Sequence, residues 1–267
     1  MTDIASPRNE RVKLVKALQS RARQRRREGK IVLEGVRLIA DALACGLTPE
    51  FVLYTVDEVT LGRPAYRLFQ QLAELRIPLL SVSQGIMEQV SDTETPPGLL
   101  AVVPLPQVTV PEVVSLALVL DAMNNPGNLG SALRTAAAAG VDVVILTPNT
   151  VDPYNPKALR GGMGAQFRLP ILELDWTDIA LRFGHLNAYL AAADGALPYY
   201  AVDWLRPSLV IIGGEAHGPT APARALAAAT IAIPMAGQTE SLNAAVATGV
   251  ILYEARRQRA LSTQKGV

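Results

Sequence analysis

The chain is poor in the residues that carry redox and metal chemistry. Cys45 is the only cysteine, and His185 and His217 are the only histidines, in 267 residues. No disulfide can form within the chain, and a Cys/His metal cluster lacks ligands, so no metal is expected. Cys45 itself, in "ADALACGL", reads as a small core hydrophobe. No apolar run approaches the ~20 residues of a membrane span, and "MTDIASPRNERVK" lacks the apolar core of a signal peptide. A cytoplasmic location is the expectation. The GxGxxG dinucleotide spacing and the GxxxxGK[ST] phosphate loop are both missing, which leaves nicotinamide dehydrogenases and P-loop nucleotidases without support.

What is present describes a folded chain of two domains. Hydrophobic residues make up 49% and charged residues 18%, an ordinary globular balance with ample sequence for a core. The net charge of +1 hides an asymmetry: residues 1–30 hold ten Lys/Arg against three Asp/Glu, and the remainder fifteen against twenty-one. Arg21, Arg23, Arg25, Arg26 and Arg27 crowd into "KALQSRARQRRREGK". Such a cluster either neutralises nucleic-acid phosphates or forms a solvated helix face, and charge alone leaves both open. Pro96, Pro97, Pro104, Pro106 and Pro111 mark extended connecting chain. We therefore expect an N-terminal domain over 1–106, a linker over 107–112 and a C-terminal domain over 113–267.

In the first part a helical pattern near 8–27 precedes strands "KIVLEG", "EFVLYTV", "IPLLSV" and "GLLAVVPL", with helices "VRLIADALACG" and "AYRLFQQLAELR" between them. In the second, the apolar runs "LALVLDAM", "VDVVILTP", "FRLPILEL", "NAYLAAA", "LVIIGGE" and "ATIAIPM" read as buried strands. Helical segments at 129–139, 176–184, 221–229 and about 240–259 alternate with them. This pattern predicts a parallel sheet covered by helices, with ligands at the carboxyl ends of its strands.

Three loops after those strands are unusual. In "DAMNNPGNLGSALRTAAAAG", Gly127 and Gly130 permit a tight turn, Asn128 offers a helix cap, and Arg134 stands early on a helix, where the dipole disfavours a cation. In "IIGGEAHGPT", a strand ends in Gly213 and Gly214 before Glu215, His217 and Gly218. In "IPMAGQTESLNAAV", Gln238, Thr239, Glu240, Ser241 and Asn243 crowd a helix start that needs one cap, assigned here to Thr239 or Ser241.

Together these segments resemble the SpoU/TrmH class of RNA ribose 2'-O-methyltransferases within the SPOUT superfamily. The match rests on "NNPGNLGSALRTAAAAG", "LVIIGGEAHG" and "IPMAGQTESLNAAVATGVILYEARRQR", in the family's order. "KIVLEGVRLIADAL" and "DTETPPGLLAVV" resemble the N-terminal substrate-binding domain of many members. The resemblance implies a parallel α/β sheet flanked by helices with a deep trefoil knot, a smaller N-terminal α/β RNA-binding domain, S-adenosylmethionine as cofactor and a homodimer whose RNA sites draw on both subunits.

By motif position it implies catalytic roles for Asn128, Arg134, Glu215, Ser241 and Asn243. Gly213, Gly214, Gly218, Ile233, Met235 and Leu242 would surround the cofactor, and Arg21, Arg23, Arg25, Arg26 and Arg27 would grip RNA. Two positions depart from the family pattern: Gly214 stands where Asn is common, and Gly162 where many relatives carry Ser. Lys157 and Arg160, in the loop 152–170, are either phosphate contacts or solvated charges. The implied activity is 2'-O-methylation of structured RNA, foremost large-subunit ribosomal RNA. The alternatives are a tRNA enzyme, an antibiotic-resistance enzyme acting on ribosomal RNA, and a catalytically silent RNA-binding or ribosome-assembly factor.

Overall fold

The computed structural model describes residues 2–56, 63–214, 218–237 and 240–265. The chain divides into two compact units, residues 1–107 with 154–160, and residues 108–153 with 161–267.

The first unit is built on five strands: β1 (Thr2–Ile4), β2 (Lys30–Glu34), β3 (Phe51–Tyr54), β4 (Leu79–Val82) and β5 (Leu99–Pro104). Their order is β1-β4-β3-β5-β2. The first three neighbours pair in parallel, while β5 runs antiparallel to both β3 and β2. Strict alternation of strands and helices would have given a parallel sheet. Helix α1 (Glu10–Ser20) sets Val12, Val15 and Leu18 against Ile86, Met87 and Val90 of α5 (Gln84–Val90) and against sheet residues such as Phe51, Leu53 and Val102. Helix α3 (Val36–Ala44) and helix α4 (Arg63–Glu74) complete the described helices of this unit apart from α2 (Ala22–Glu28).

The helical pattern near 8–27 is broken at Arg21, which is extended at φ −132° and ψ 113°. The break leaves helix-end carbonyls without N–H partners. Arg25 supplies them: its Nη1 donates to Leu18 O at 2.5 Å and to Gln19 O at 3.2 Å. Neither α5 nor β1 is among the sequence-predicted elements. Arg160, counted with this unit, stands 2.8 Å from Asp92, so an acid faces one of the charges that the sequence left open as a phosphate contact or a solvated charge.

The second unit is one parallel sheet of seven strands, in the order β10-β12-β9-β11-β6-β7-β8. They are β6 (Leu116–Asp121), β7 (Val143–Leu146), β8 (Ile171–Glu173), β9 (Asn187–Ala191), β10 (Leu197–Pro198), β11 (Ser208–Gly213) and β12 (Ala229–Ala232). The central strands β6, β7 and β11 are buried almost throughout, as strands covered on both faces must be, which is why they read as unbroken apolar runs. The helices are α6 (Pro126–Ala139), α8 (Trp176–Phe183), α9 (Ala221–Leu226) and α10 (Ala244–Lys265), while most of α7 (Pro156–Gly162) falls in the segment 154–160 counted with the first unit. Among the described residues no helix is long and apolar enough to cross a membrane.

Candidate active site

Because every strand of the second sheet is parallel, the loops after β6, β9, β11 and β12 leave from the same side. The buried carboxylate of Asp121, 1% exposed, ties the central ones together. Its Oδ1 accepts from Thr147 Oγ1 at 3.0 Å and its Oδ2 from the Thr220 N–H at 2.8 Å. Thr147 Oγ1 in turn accepts from the Ala122 N–H at 2.9 Å. A carboxylate this deep is stable only when donors face it, and here they come from the ends of β7 and of the 213–220 loop. Sequence reasoning passed over Asp121, whose one signal is an acid ending the otherwise apolar "LALVLD".

Gly214 passes so close to this turn that a Cβ on it would stand 2.5 Å from Ala122 O. No side chain fits there with the turn as it stands, so the turn requires glycine at this position. Glu215 and His217 lie outside the described residues, as do Gln238 and Thr239.

Both expected helix caps shift. Helix α6 begins at Pro126, and Asn125 caps it by accepting from the Gly127 and Asn128 N–H groups at 2.9 and 3.3 Å. Asn128 therefore stands inside the first turn, and its Oδ1 accepts from Asn243 Nδ2 at 3.2 Å across 115 residues of sequence. Asn243 is itself the cap of α10: its Oδ1 accepts from the Ala245 and Val246 N–H groups at 3.0 and 3.3 Å. Ser241 is exposed two residues earlier and does not cap the helix. Arg134 is exposed on the third turn of α6, and its guanidinium has no hydrogen bond or ion pair among the described residues. Six residues turn a helix by about 600°, so Arg134 projects from a different side of α6 than Asn128.

A cavity of about 500 Å³ opens beside this junction. Gly213, Gly214, Gly218, Ile233, Met235 and Leu242 all line it, together with Ser241. Its volume lies in the range of small-molecule sites, and apolar walls with exposed loop backbone suit a flat heteroaromatic ring. Asp194, Arg224 and Glu240 add charge to the lining, so the donor set fits an adenosine carrying a charged tail.

The five arginines of the first unit do not act alike. Arg21, Arg23, Arg26 and Arg27 are exposed, Arg27 within 3.0 Å of Glu28. Arg25 is 3% exposed, and its guanidinium serves the end of α1 and not a nucleic acid.

The family described as SpoU rRNA Methylase matches residues 115–253, and an MRM3-like substrate binding domain matches residues 9–101. A tRNA/rRNA methyltransferase of Synechocystis sp. is 35% identical over 272 residues, spanning 99% of this chain and 98% of that protein. The 23S rRNA (guanosine(2553)-2'-O)-methyltransferase of Bacillus subtilis is 30% identical, spanning 96% of this chain and 100% of that protein. The SpoU methyltransferase AviRb of Streptomyces viridochromogenes, solved with S-adenosylmethionine, aligns with a TM-score of 0.83 at 30% identity over 95% of this chain and 99% of that one. On the strength of a match across more than half its length and of relatives aligned end to end, the chain belongs to the SpoU rRNA methylase family.

Proposed function

We propose that this protein transfers a methyl group from S-adenosylmethionine to a ribose 2'-hydroxyl of large-subunit ribosomal RNA, working in the cytoplasm as a homodimer. The observation that carries the reading is the Asn243–Asn128 bond, in which a residue flanked by two that line a cofactor-sized cavity, Leu242 and Ala244, meets the first turn of the helix that carries Arg134.

The chemistry asks the chain to orient a hydroxyl, bind the adjoining phosphate and stabilise the charge that appears as the hydroxyl proton leaves. The bound cofactor supplies an electrophilic methyl on a sulfonium. Asn128 and Asn243 fix each other, and with Ser241 they position the ribose. A guanidinium is a poor proton acceptor, so the part of Arg134 is electrostatic: its planar fork binds phosphate and the nascent alkoxide. Glu215, by motif position, orients the loops around the cavity. Over 1–106, the exposed Arg21, Arg23, Arg26 and Arg27 contribute phosphate contacts, while 113–267 carry the chemistry.

Arg134→Lys tests the fork, because a point charge survives and the bidentate geometry does not. Turnover at saturating RNA is expected to fall by roughly tenfold or more, below the 10²–10³ typical of losing a transition-state donor outright. Near wild-type turnover would remove the fork-specific role. Mapping 2'-O-methylation across total RNA in cells with and without the gene tests the activity itself, and an unchanged map would overturn it.

A further inference from the structure

The cavity beside the Asn243–Asn128 junction is lined by two charged side chains that the steps above leave without a task, Asp194 and Arg224. Both are exposed to the cavity's open space, and neither has a side-chain hydrogen bond or ion pair among the described residues. Each is nevertheless carried on well-fixed backbone. Asp194 rides a turn after β9 where Ala192 N donates to Ile231 O at 2.9 Å, Gly195 N to Ala192 O at 3.1 Å and Ala196 N to Thr230 Oγ1 at 3.2 Å. The turn presses against β12 so tightly that a Cβ on Gly195 would lie 2.3 Å from the Ile231 carbonyl carbon. Arg224 follows Thr220 by one helical turn, its N–H bonded to Thr220 O at 3.1 Å, and Thr220 is in turn held by buried Asp121.

Opposite charges that share one cavity yet do not pair leave room between them for a ligand that meets both. Adenine and ribose carry no full charge, and the apolar walls at Ile233 and Met235 serve them. An α-amino acid group carries a carboxylate and an ammonium a few bonds apart. We propose that Arg224 binds the carboxylate and Asp194 the ammonium of the cofactor's amino-acid end, an assignment that rests on reading the cavity as the S-adenosylmethionine site. Among the described residues, Asp194, Glu240 and Arg224 give the lining one net negative charge, opposite to the single net positive charge of S-adenosylmethionine.

The test is calorimetric binding of two cofactor analogues to the full chain. S-adenosylhomocysteine keeps the amino-acid end; 5'-methylthioadenosine keeps adenine, ribose and sulfur but ends in a methyl. Arg224→Met and Asp194→Asn are each expected to weaken S-adenosylhomocysteine roughly five- to tenfold while leaving methylthioadenosine within about twofold, and Arg224→Lys to recover part of the loss. Equal weakening of both ligands, or of neither, would overturn the assignment while wild-type binding leaves the cofactor site in place. Wild-type protein that binds neither analogue would overturn both. Because both side chains are exposed, the variants are expected to unfold at the wild-type temperature, which a melt recorded alongside checks.

Discussion

Asn243 puts the two ends of one carboxamide to different uses, its oxygen capping α10 and its nitrogen reaching Asn128. The two can be separated. Asn243→Asp retains an oxygen for the cap but removes the donor, setting a carboxylate against the Asn128 oxygen. Its melting temperature is expected to stay within about 3 °C of wild type while methyl transfer to ribosomal RNA falls at least about tenfold. Asn243→Ala loses both tasks, at about 1 kcal/mol of stability. Wild-type turnover by Asn243→Asp would show that the bridge is structural only. Arg25 gives a converse case. Arg25→Met strips Leu18 O and Gln19 O of their donor and is expected to cost about 1–3 kcal/mol in urea unfolding, with the salt dependence of RNA binding unchanged. Arg23→Met should leave stability alone and lower the salt slope by about one counterion. The motifs singled out Asn243 as a candidate through the resemblance. Its capping role was hidden because several neighbours have the chemistry of a cap. Arg25 was misread because composition counts charges without showing which are buried.

At the scale of elements, long apolar runs were legible and short or polar ones were not. The buried central strands announce themselves because both faces need hydrophobes, whereas β1, β10, α5 and α7 are too short for a period to show. Gly162, the last residue of α7, illustrates what only packing reveals: the Gln166 carboxamide fills the space its side chain would take, with a Cβ falling 2.2 Å from Oε1. Gln166 is fully buried and its Nε2 donates to Pro153 O at 3.1 Å, so it cannot swing away freely. Gly162→Ala is expected to cost about 1–3 kcal/mol, and adding Gln166→Ala should recover much of it, a coupling that a double-mutant cycle in urea would measure. Simple additivity would refute the clash. The last helix carries its own pH signature. Hydrogen bonds from Arg257, with Nε and Nη2 each 2.8 Å from the carboxylate, hold Glu254 below its ordinary value of 4.5, and Gln258 adds to this. A lowered native value means that the contribution is present above pH 4.5 and is lost as pH falls through the native value. Wild type should therefore exceed Glu254→Gln in stability at pH 7, with the gap closing on acidification below 4.5. A gap independent of pH would point to packing instead.

At the scale of the molecule, the division into a mixed sheet and a parallel sheet follows from where apolar runs alternate with helices, but the antiparallel pairings of β5 follow from no local signal. The trefoil knot came from the resemblance alone, since the rules for short, unthreaded connections assign an open path. The homodimer is likewise an expectation of the resemblance, and α10 carries a surface that suits one. Its inner side buries Thr248, Ile251, Leu252 and Ala255. Val246 and Tyr253, seven residues apart and so on one face, are each 52% exposed. A helix apolar on two sides asks for a second cover, and an equivalent helix of another copy provides one of matching character. Val246→Glu with Tyr253→Glu would bury four carboxylates across such an interface. The double variant is expected to sediment as a monomer with its far-ultraviolet circular dichroism intact. Its methyl transfer should fall at least about tenfold if, as the resemblance implies, the RNA site draws on both subunits. A double variant that keeps the wild-type sedimentation coefficient would place the interface away from this face of α10, and full turnover by a monomer would show that one subunit completes the site.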